Sequence, residues 1–432
     1  MVLLFGAAVL RFHLAWWRGH LGDLLVFQSW AVGTDRMKWF REVQHLGNFF
    51  PNYPPLYPSL CRLLVWIHEA AALPGDIRLP IDDMTLEESR PIILLFKTPP
   101  IAADLAAAVI IFLWGRHERR PGLGLLVAAF YLFSPAILYD GAYYGQTDTI
   151  LLALLIGSGF AYATRRPVLL GSSAMLAALL KAQAISVLPI LAAAVIIEWR
   201  HVWQRRFAEL FLGAALSFWA GLALAGLTGM LHLFYNGYFT IVGQYSRTSY
   251  NALNLWWIIH SPLDRRPNLA DFPADSLRVA GLVTYRDIGL ALFAAALALT
   301  IWRWRRAADR PASLVLACAA SAWAFFNLCT EMHERYSVVA VGFTCLAALW
   351  ERKWFAFGLL SSLTTMINIT LACHFWYPPC RWLQFHLNWF LHADSPGPFL
   401  AISAIQVLML PLVLDALWRT GSRGRTPAVN AR

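Results

Sequence analysis

The stretch IILLFKTPPIAADLAAAVIIFLW, residues 92–114, runs directly into GRHERR, residues 115–120. Its 23 residues are long enough to cross the hydrocarbon core of a bilayer as one helix, which takes roughly 17–25. The basic cluster behind it is the kind of flank that stays on the cytoplasmic side. Outward from this stretch, further apolar segments recur near 2–17, 123–139, 148–163, 167–180, 184–198, 208–230, 282–302, 312–329, 336–350, 354–373 and 398–418. They predict an all-α integral membrane protein of about 12 transmembrane helices (11–13), a single membrane-embedded body over residues 1–432. The short pair at 167–180 and 184–198 predicts a tight hairpin around Lys181.

Composition agrees. The chain is 59% hydrophobic and 14% charged, with a mean hydropathy of +0.53. A water-solvated surface usually needs about 25% charged residues. The net charge of +10 does not predict a nucleic-acid partner, because its positions explain it. Arg116/Arg119/Arg120, Arg165/Arg166, Arg200/Arg205/Arg206, Arg303/Arg305/Arg306/Arg310, Arg352/Lys353 and Arg419/Arg423/Arg425/Arg432 fall on alternate gaps between apolar segments. Only Glu118, Glu198, Asp309 and Glu351 oppose them, so these gaps carry more positive charge than the whole chain. This alternation predicts that they, and both termini, face the cytoplasm. The first apolar stretch, Val2–Trp17, lacks a basic flank and a cleavage site and is read as a membrane helix rather than a signal peptide. Six cysteines predict no disulfide framework, although Cys373 and Cys380 lie on the same outer side.

Two outer loops are long, about 18–91 and 231–281, and are expected to roof a site. In the first, Val26–Val43 reads as an amphipathic interfacial helix, followed by a turn at Pro51, Pro54, Pro55 and Pro58, a helix over Leu60–Ala72 and an acidic connection at Asp82–Glu88. The second mixes aromatic and polar residues, among them Tyr235, Tyr238, Tyr245, Tyr250, Trp256 and Trp257.

The polar residues that interrupt or abut apolar segments sort to that same outer side. They are Asp23, Asn52-Tyr53-Pro54-Pro55, Tyr144-Gly145-Gln146-Thr147-Asp148, Lys181 with Gln183, Asn251 with Asn254, and Glu331-Met332-His333-Glu334-Arg335-Tyr336. Charges at membrane depth are costly and usually functional. A carboxylate, several cations and a set of amides and hydroxyls on one leaflet suit an anionic head group on a lipid. Lys181, His333 and Arg335 are candidates for phosphate binding, with Arg able to grip bidentately. Asp23 is the candidate base for an incoming hydroxyl. Each residue also has a plainer reading: Asp23 a solvated helix end, Lys181 a snorkelling side chain, His333 an interfacial histidine, Arg335 an ion pair with Glu331 or Glu334, and Asp104 a packing partner of Lys97.

Several of these segments resemble the GT-C superfamily of polyprenyl-phosphate-sugar glycosyltransferases, nearest the dolichyl-phosphate-glucose glucosyltransferases of asparagine-linked glycan assembly and their bacterial relatives. The likeness lies, in order, in Gly22-Asp23 with Phe27 and Trp30, Asn52-Tyr53-Pro54-Pro55-Leu56, and Lys97-x-Pro99-Pro100 with Asp104. It continues in Ser134-Pro135 to Tyr144-Gly145-Gln146-Thr147-Asp148, Lys181-Ala182-Gln183, Asn251-Ala252-Leu253-Asn254-Leu255-Trp256 and Met332-His333-Glu334-Arg335-Tyr336. Tyr144, Ala182 and Asn52 depart from residues common in relatives, and Asn52 removes a second carboxylate before Tyr53, which weighs against an essential metal.

The resemblance implies a GT-C fold and an inverting hexosyltransferase. It would move glucose or mannose from a polyprenyl-phosphate donor to a glycan or glycolipid acceptor on the outer face of a membrane, a bacterial inner membrane with the site facing the periplasm, with the endoplasmic reticulum as alternative. It implies Asp23 as base and His333, with Arg335 and Lys181, at the donor phosphate. Tyr53, Tyr144, Gln146, Asp148, Asn251, Asn254 and Glu334 would orient sugar or acceptor, with membrane lipids as partners and neither cofactor nor metal. A flippase for a lipid-linked glycan, a protein O-mannosyltransferase and an aminoarabinose transferase are the alternatives. The chain shows no internal repeat of the kind common in transporters, and its polar groups gather on one side, which favours an enzyme.

Overall fold

The computed structural model describes residues 1–17, 19, 21–32, 51–73, 90–198, 203–239, 243–265, 269–307, 310–376 and 396–422. It is mostly helical. Among the described residues, six helices are long and apolar enough to span a membrane: Pro91–His117, Arg206–Thr228, Tyr285–Arg305, Pro311–Leu328, Lys353–Ala372 and Gly397–Thr420. A seventh span forms if the bent pair Pro121–Leu132 and Pro135–Tyr144 counts as one. Val2–Ala15, Asp148–Ala163, Pro167–Leu180, Leu188–Glu198 and Val338–Leu349 are apolar but shorter. Each expected segment therefore coincides with a helix, and six reach spanning length by their own composition. The protein is an integral membrane protein.

The helices are sorted by burial. Pro311–Leu328 is 83% buried, whereas Arg206–Thr228 and Tyr285–Arg305 are 22% buried. On these outer helices large apolar side chains such as Phe211, Leu216, Trp219 and Leu290 are exposed, as suits a surface solvated by lipid. Where helices must come close, small residues meet. A Cβ on Gly171 would lie 2.0 Å from the Leu210 carbonyl oxygen, and one on Gly213 2.0 Å from that of Val168. Helices Pro167–Leu180 and Trp203–Thr228 thus approach at backbone distance, the packing mode membrane helices use in place of a hydrophobic drive.

The break at Ser134-Pro135 has a local cause. Pro135 cannot donate a backbone hydrogen bond, and the chain bends by 50° between the two helical pieces. The Ala136 N–H is caught by the Ser362 hydroxyl at 2.9 Å, and Ser134 Oγ lies 2.6 Å from Ser362 Oγ. Beyond the bend the backbone runs as a π-helix, Leu138–Tyr144, a form that often marks functional sites. Gly145 ends it at φ +83°, and its N–H and that of Gln146 both bond the Asp140 carbonyl at 2.9 Å. A Cβ there would meet Lys97 Cγ at 2.8 Å, so this turn requires glycine twice over.

Three expectations are corrected. Lys97 does not pair with Asp104. Its ammonium donates to the carbonyls of Trp17 at 2.8 Å and Tyr143 at 2.5 Å, tying the end of the first helix to the π-helix. Asp104 pairs instead with the buried Arg11 at 3.2 Å and accepts from the Tyr131 hydroxyl at 3.2 Å. Lys97 and Asp104 lie along one helix with their charges satisfied by other elements. Second, the described part of Val26–Val43 is packed into the protein, with Phe27 through Ala31 buried, rather than presenting a polar face. It belongs to the helix Leu21–Val32, whose Phe27 and Trp30 are buried against Tyr53 and Tyr57. Third, the helix expected over Leu60–Ala72 begins four residues earlier and spans Leu56–Ala70. Residues 33–43, Asp82–Glu88, Cys380, the side chains of Cys373, Arg205 and Arg310, and Arg200, Asp309, Arg423, Arg425 and Arg432 lie outside what is described.

Candidate active site

The polar motifs, scattered over three hundred residues of chain, meet around Arg335. Asp23 stands in the first turn of the helix Leu21–Val32, where the helix dipole favours a negative charge. Its Oδ2 accepts a hydrogen bond from Gln146 Nε2 at 2.6 Å and from the Tyr144 hydroxyl at 3.1 Å. An Arg335 guanidinium nitrogen lies 3.7 Å from the same oxygen. The glycine turn at Gly145 is what aims Tyr144 and Gln146 at one carboxylate oxygen.

Arg335 also bonds Glu334 at 2.8 Å and donates to the Tyr144 hydroxyl at 3.4 Å. Its Nε lies 3.7 Å from Asp148 Oδ2. The ion pair left open between Glu331 and Glu334 falls to Glu334. Burial by itself raises a carboxyl pKa, but the charge of Arg335 and the contact with His333 outweigh it and hold Glu334 down at about 2. Glu331 turns away and meets Arg286 at 3.0 Å, while accepting both the Gly243 N–H and the Tyr245 N–H.

Lys181 neither snorkels nor faces an open space. It follows the helix Pro167–Leu180 in extended conformation and is fully buried. Its ammonium meets both carboxylate oxygens of Asp148 at 2.8 and 2.9 Å, and lies 5.1 Å from the Tyr53 ring and 5.0 Å from the Tyr336 ring. Its charge is thereby committed to Asp148 and to two aromatic faces.

His333 is held by aromatic rings. Tyr245 meets it edge-on at 4.3 Å, with Tyr250 at 4.8 Å and Tyr336 at 5.2 Å. The backbone of Tyr250 and Asn251 bridges to His333, and the Tyr250 N–H bonds the Met332 carbonyl at 3.0 Å. Asn251 and Glu331 both adopt left-handed φ, 63° and 60°, a conformation uncommon for non-glycine residues that clusters at functional sites. Nδ1 of His333 faces Glu334 Oε2 at 3.7 Å, and its buried Nε2 has no hydrogen-bond partner among the described residues. Burial lowers the imidazole pKa below its ordinary value, Arg335 adds to that, and Glu334 and Asp23 oppose it.

Tyr53 joins this assembly through its ring, and its neighbour Asn52 donates to Gln244 Oε1 at 2.9 Å and to the Tyr245 hydroxyl at 3.4 Å. The segments carrying Asn52 and Tyr245 are thereby stitched together beside His333. Asn254 stands apart. It caps the helix Leu255–His260 by accepting the Trp257 N–H, and it donates to the Phe326 carbonyl at 3.0 Å. Asn251 contributes backbone, its carbonyl accepting from Asn368 at 2.7 Å. Exposure then separates the acids of the cluster: the side chain of Asp23 is 26% exposed, against 1% for Asp148 and 4% for Glu334.

Residues 93–331, more than half of the sequence, match the family described as Glycosyltransferase family 87. The chain belongs to glycosyltransferase family 87. It is a membrane glycosyltransferase, with a sugar donor, a glycan or lipid acceptor and membrane lipids as its partners. No curated protein matches the chain. The matched span of this family 87 transferase takes in Tyr144, Gln146, Asp148, Lys181, Asn251 and Asn254, and stops just short of His333. Among its described residues, no three His, Cys, Asp or Glu side chains converge as a metal site.

Sequence reasoning passed over Asp140 and Arg11. Asp140 is fully buried in the π-helix, and neither of its carboxylate oxygens has a hydrogen-bond partner among the described residues. The signal for both was available, since each is an ionisable residue inside an apolar segment. The packing of Tyr245 and Tyr250 on His333 had no such signal, because it depends on a bridge between segments about eighty residues apart.

Proposed function

We propose that this family 87 transferase moves a hexose, glucose or mannose, from a polyprenyl-phosphate donor to a glycan or glycolipid acceptor, with inversion, on the non-cytoplasmic face of its membrane. The observation that carries the reading is the pairing of one accessible carboxylate, Asp23, with a guanidinium 3.7 Å away in an otherwise buried cluster. A base and a cation side by side suit attack by a hydroxyl and departure of a phosphate.

In this mechanism Asp23 takes the proton of the acceptor hydroxyl. The acceptor oxygen forms its bond to the sugar C1 as the C1–O bond to phosphate breaks, and the electron pair stays on the phosphate oxygen. Gln146 and Tyr144 hold the Asp23 carboxylate in one orientation through Oδ2. Arg335 and His333 stabilise the departing phosphate, so the scheme uses no metal ion. Lys181 and Asp148 support Tyr53, Tyr336 and Arg335 from behind. Holding two lipid-tethered substrates in line supplies much of the rest. The alternation of basic loops along the chain supports assigning the convergent motifs to the non-cytoplasmic side.

The test is transfer of label from radiolabelled polyprenyl-phosphate glucose and, separately, mannose, to a membrane-lipid extract. Wild type should form a labelled product, and Asp23→Asn should lose about 10²–10⁴-fold in rate while remaining folded. Wild-type activity retained in Asp23→Asn would remove Asp23 as base. No transfer from either donor, with lipid-linked sugar instead crossing sealed vesicles, would replace the enzyme reading with a flippase.

A further inference from the structure

His333 sits where its two ring nitrogens see different surroundings. Nδ1 faces the Glu334 carboxylate at 3.7 Å, and Nε2 is buried with no hydrogen-bond partner among the described residues. A neutral imidazole carries one proton, and the hydrogen-bonding need of each nitrogen decides where it goes. The Glu334 carboxylate can only accept, so the proton belongs on Nδ1. Nε2 then presents a lone pair. A phosphodiester oxygen also presents only lone pairs, so neutral His333 and a donor phosphate meet acceptor to acceptor.

The charge inventory points the same way. Among the described residues, the cluster sets three carboxylates, Asp23, Asp148 and Glu334, against two fixed cations, Lys181 and Arg335. Both cations are already engaged with carboxylates. A phosphodiester brings one more negative charge to a cluster in which, among the described residues, carboxylates outnumber fixed cations. Such a group is accepted in a buried site only if positive charge enters with it.

We infer that capture of the donor phosphate is coupled to uptake of a proton by His333 Nε2, so that the lipid phosphodiester and the proton bind together. The inference rests on the proposed function and adds to it a condition for donor recognition. The groups facing His333 are Glu334, Arg335 and Tyr336 from its own segment, Tyr245 and Tyr250 from the outer segment, and Asp23 from the helix Leu21–Val32. None but His333 both changes charge near neutrality and carries an unpartnered buried nitrogen. Burial keeps the imidazole neutral before the ligand arrives. Once protonated, it donates to the phosphate from Nε2 and keeps its charge beside Glu334 at Nδ1.

The test uses a farnesyl methyl phosphodiester, whose single charge does not titrate in the working range, and the full-length protein in nanodiscs. Calorimetric titration at neutral pH, in two buffers of contrasting ionisation heat, counts protons. Wild type should take up about one proton per ligand, and its Kd should weaken about tenfold per pH unit above the pKa of the free imidazole. His333→Gln should bind more weakly with no uptake. His333→Lys, which carries a fixed charge, should bind with a Kd that is flat over the same pH range. Wild-type binding without proton uptake, or uptake that persists in His333→Gln, overturns the inference and leaves the donor reading standing. Failure of wild type to bind any lipid phosphodiester overturns the donor reading and the inference with it.

Discussion

Lys181 offers the sharpest test of how the site is built. The sequence reads it as a ligand of the donor phosphate, whereas in the structure it is buried, bidentate to Asp148 and between two tyrosine rings. Replacing Lys181 with Met keeps most of the side-chain volume and strands the Asp148 carboxylate, which is 1% exposed. Arg335 cannot take over, because its Nε lies 3.7 Å from Asp148 and the guanidinium is bonded to Glu334. Removing one partner of a buried pair costs about 3–5 kcal/mol. Losing the two ring contacts adds about 0.5–2 kcal/mol each where they are desolvated. Lys181→Met should therefore lose most of the protein's stability. In Lys181→Met/Asp148→Asn no buried charge is stranded, and about half or more of the loss should be regained. Reversible unfolding in bicelles measures all four corners of the cycle, and binding of a lipid phosphodiester to the folded fraction supplies the second readout. If Lys181→Met is as stable as wild type and fails only to bind the phosphodiester, the reasoning is wrong and Lys181 is a donor ligand after all.

Two further outcomes concern Glu331 and Asn254. Burial, reinforced by Asp275, raises the Glu331 carboxyl to about 7 against the opposing pull of the Gly243 N–H and Arg286. Its folded-state pKa thus lies above the ordinary carboxyl value of 4.5, and the folded protein keeps a proton that the unfolded chain releases. Stability should fall as pH rises from about 4.5 to about 7 and then level, and Glu331→Gln should flatten that part of a plot of unfolding midpoint against pH. Asn254→Ala removes the cap of the helix Leu255–His260 and the bond to the Phe326 carbonyl, and should cost about 1–2 kcal/mol in the same unfolding assay while leaving the Asp23 rate defect unreproduced.

The sequence by itself determined that this is a membrane protein, that its body is helical, and that its unusual polar residues belong together. These properties are local or additive. A run of apolar residues needs no partner to prefer lipid, and a glycine turn such as Tyr144-Gly145-Gln146 announces its geometry through one φ angle. Asp23, Gln146 and Arg335 were legible as a group because ionisable and amide side chains beside apolar helices are too costly to be scattered without purpose. The partners of each charge were not legible. Lys97 and Asp104 share a helix, and only the folded arrangement brings Arg11 to one and the ends of two other helices to the other. Lys181 and Asp148 are thirty-three positions apart, and no spacing rule pairs them. Asn254, read as a substrate ligand, is consumed by a helix cap that forms only once Phe326 lies beside it. Tertiary structure decided these roles because a buried charge or amide is satisfied by whichever partner lies within about 3 Å, and proximity at that scale is a property of packing, which a linear pattern of residues does not contain.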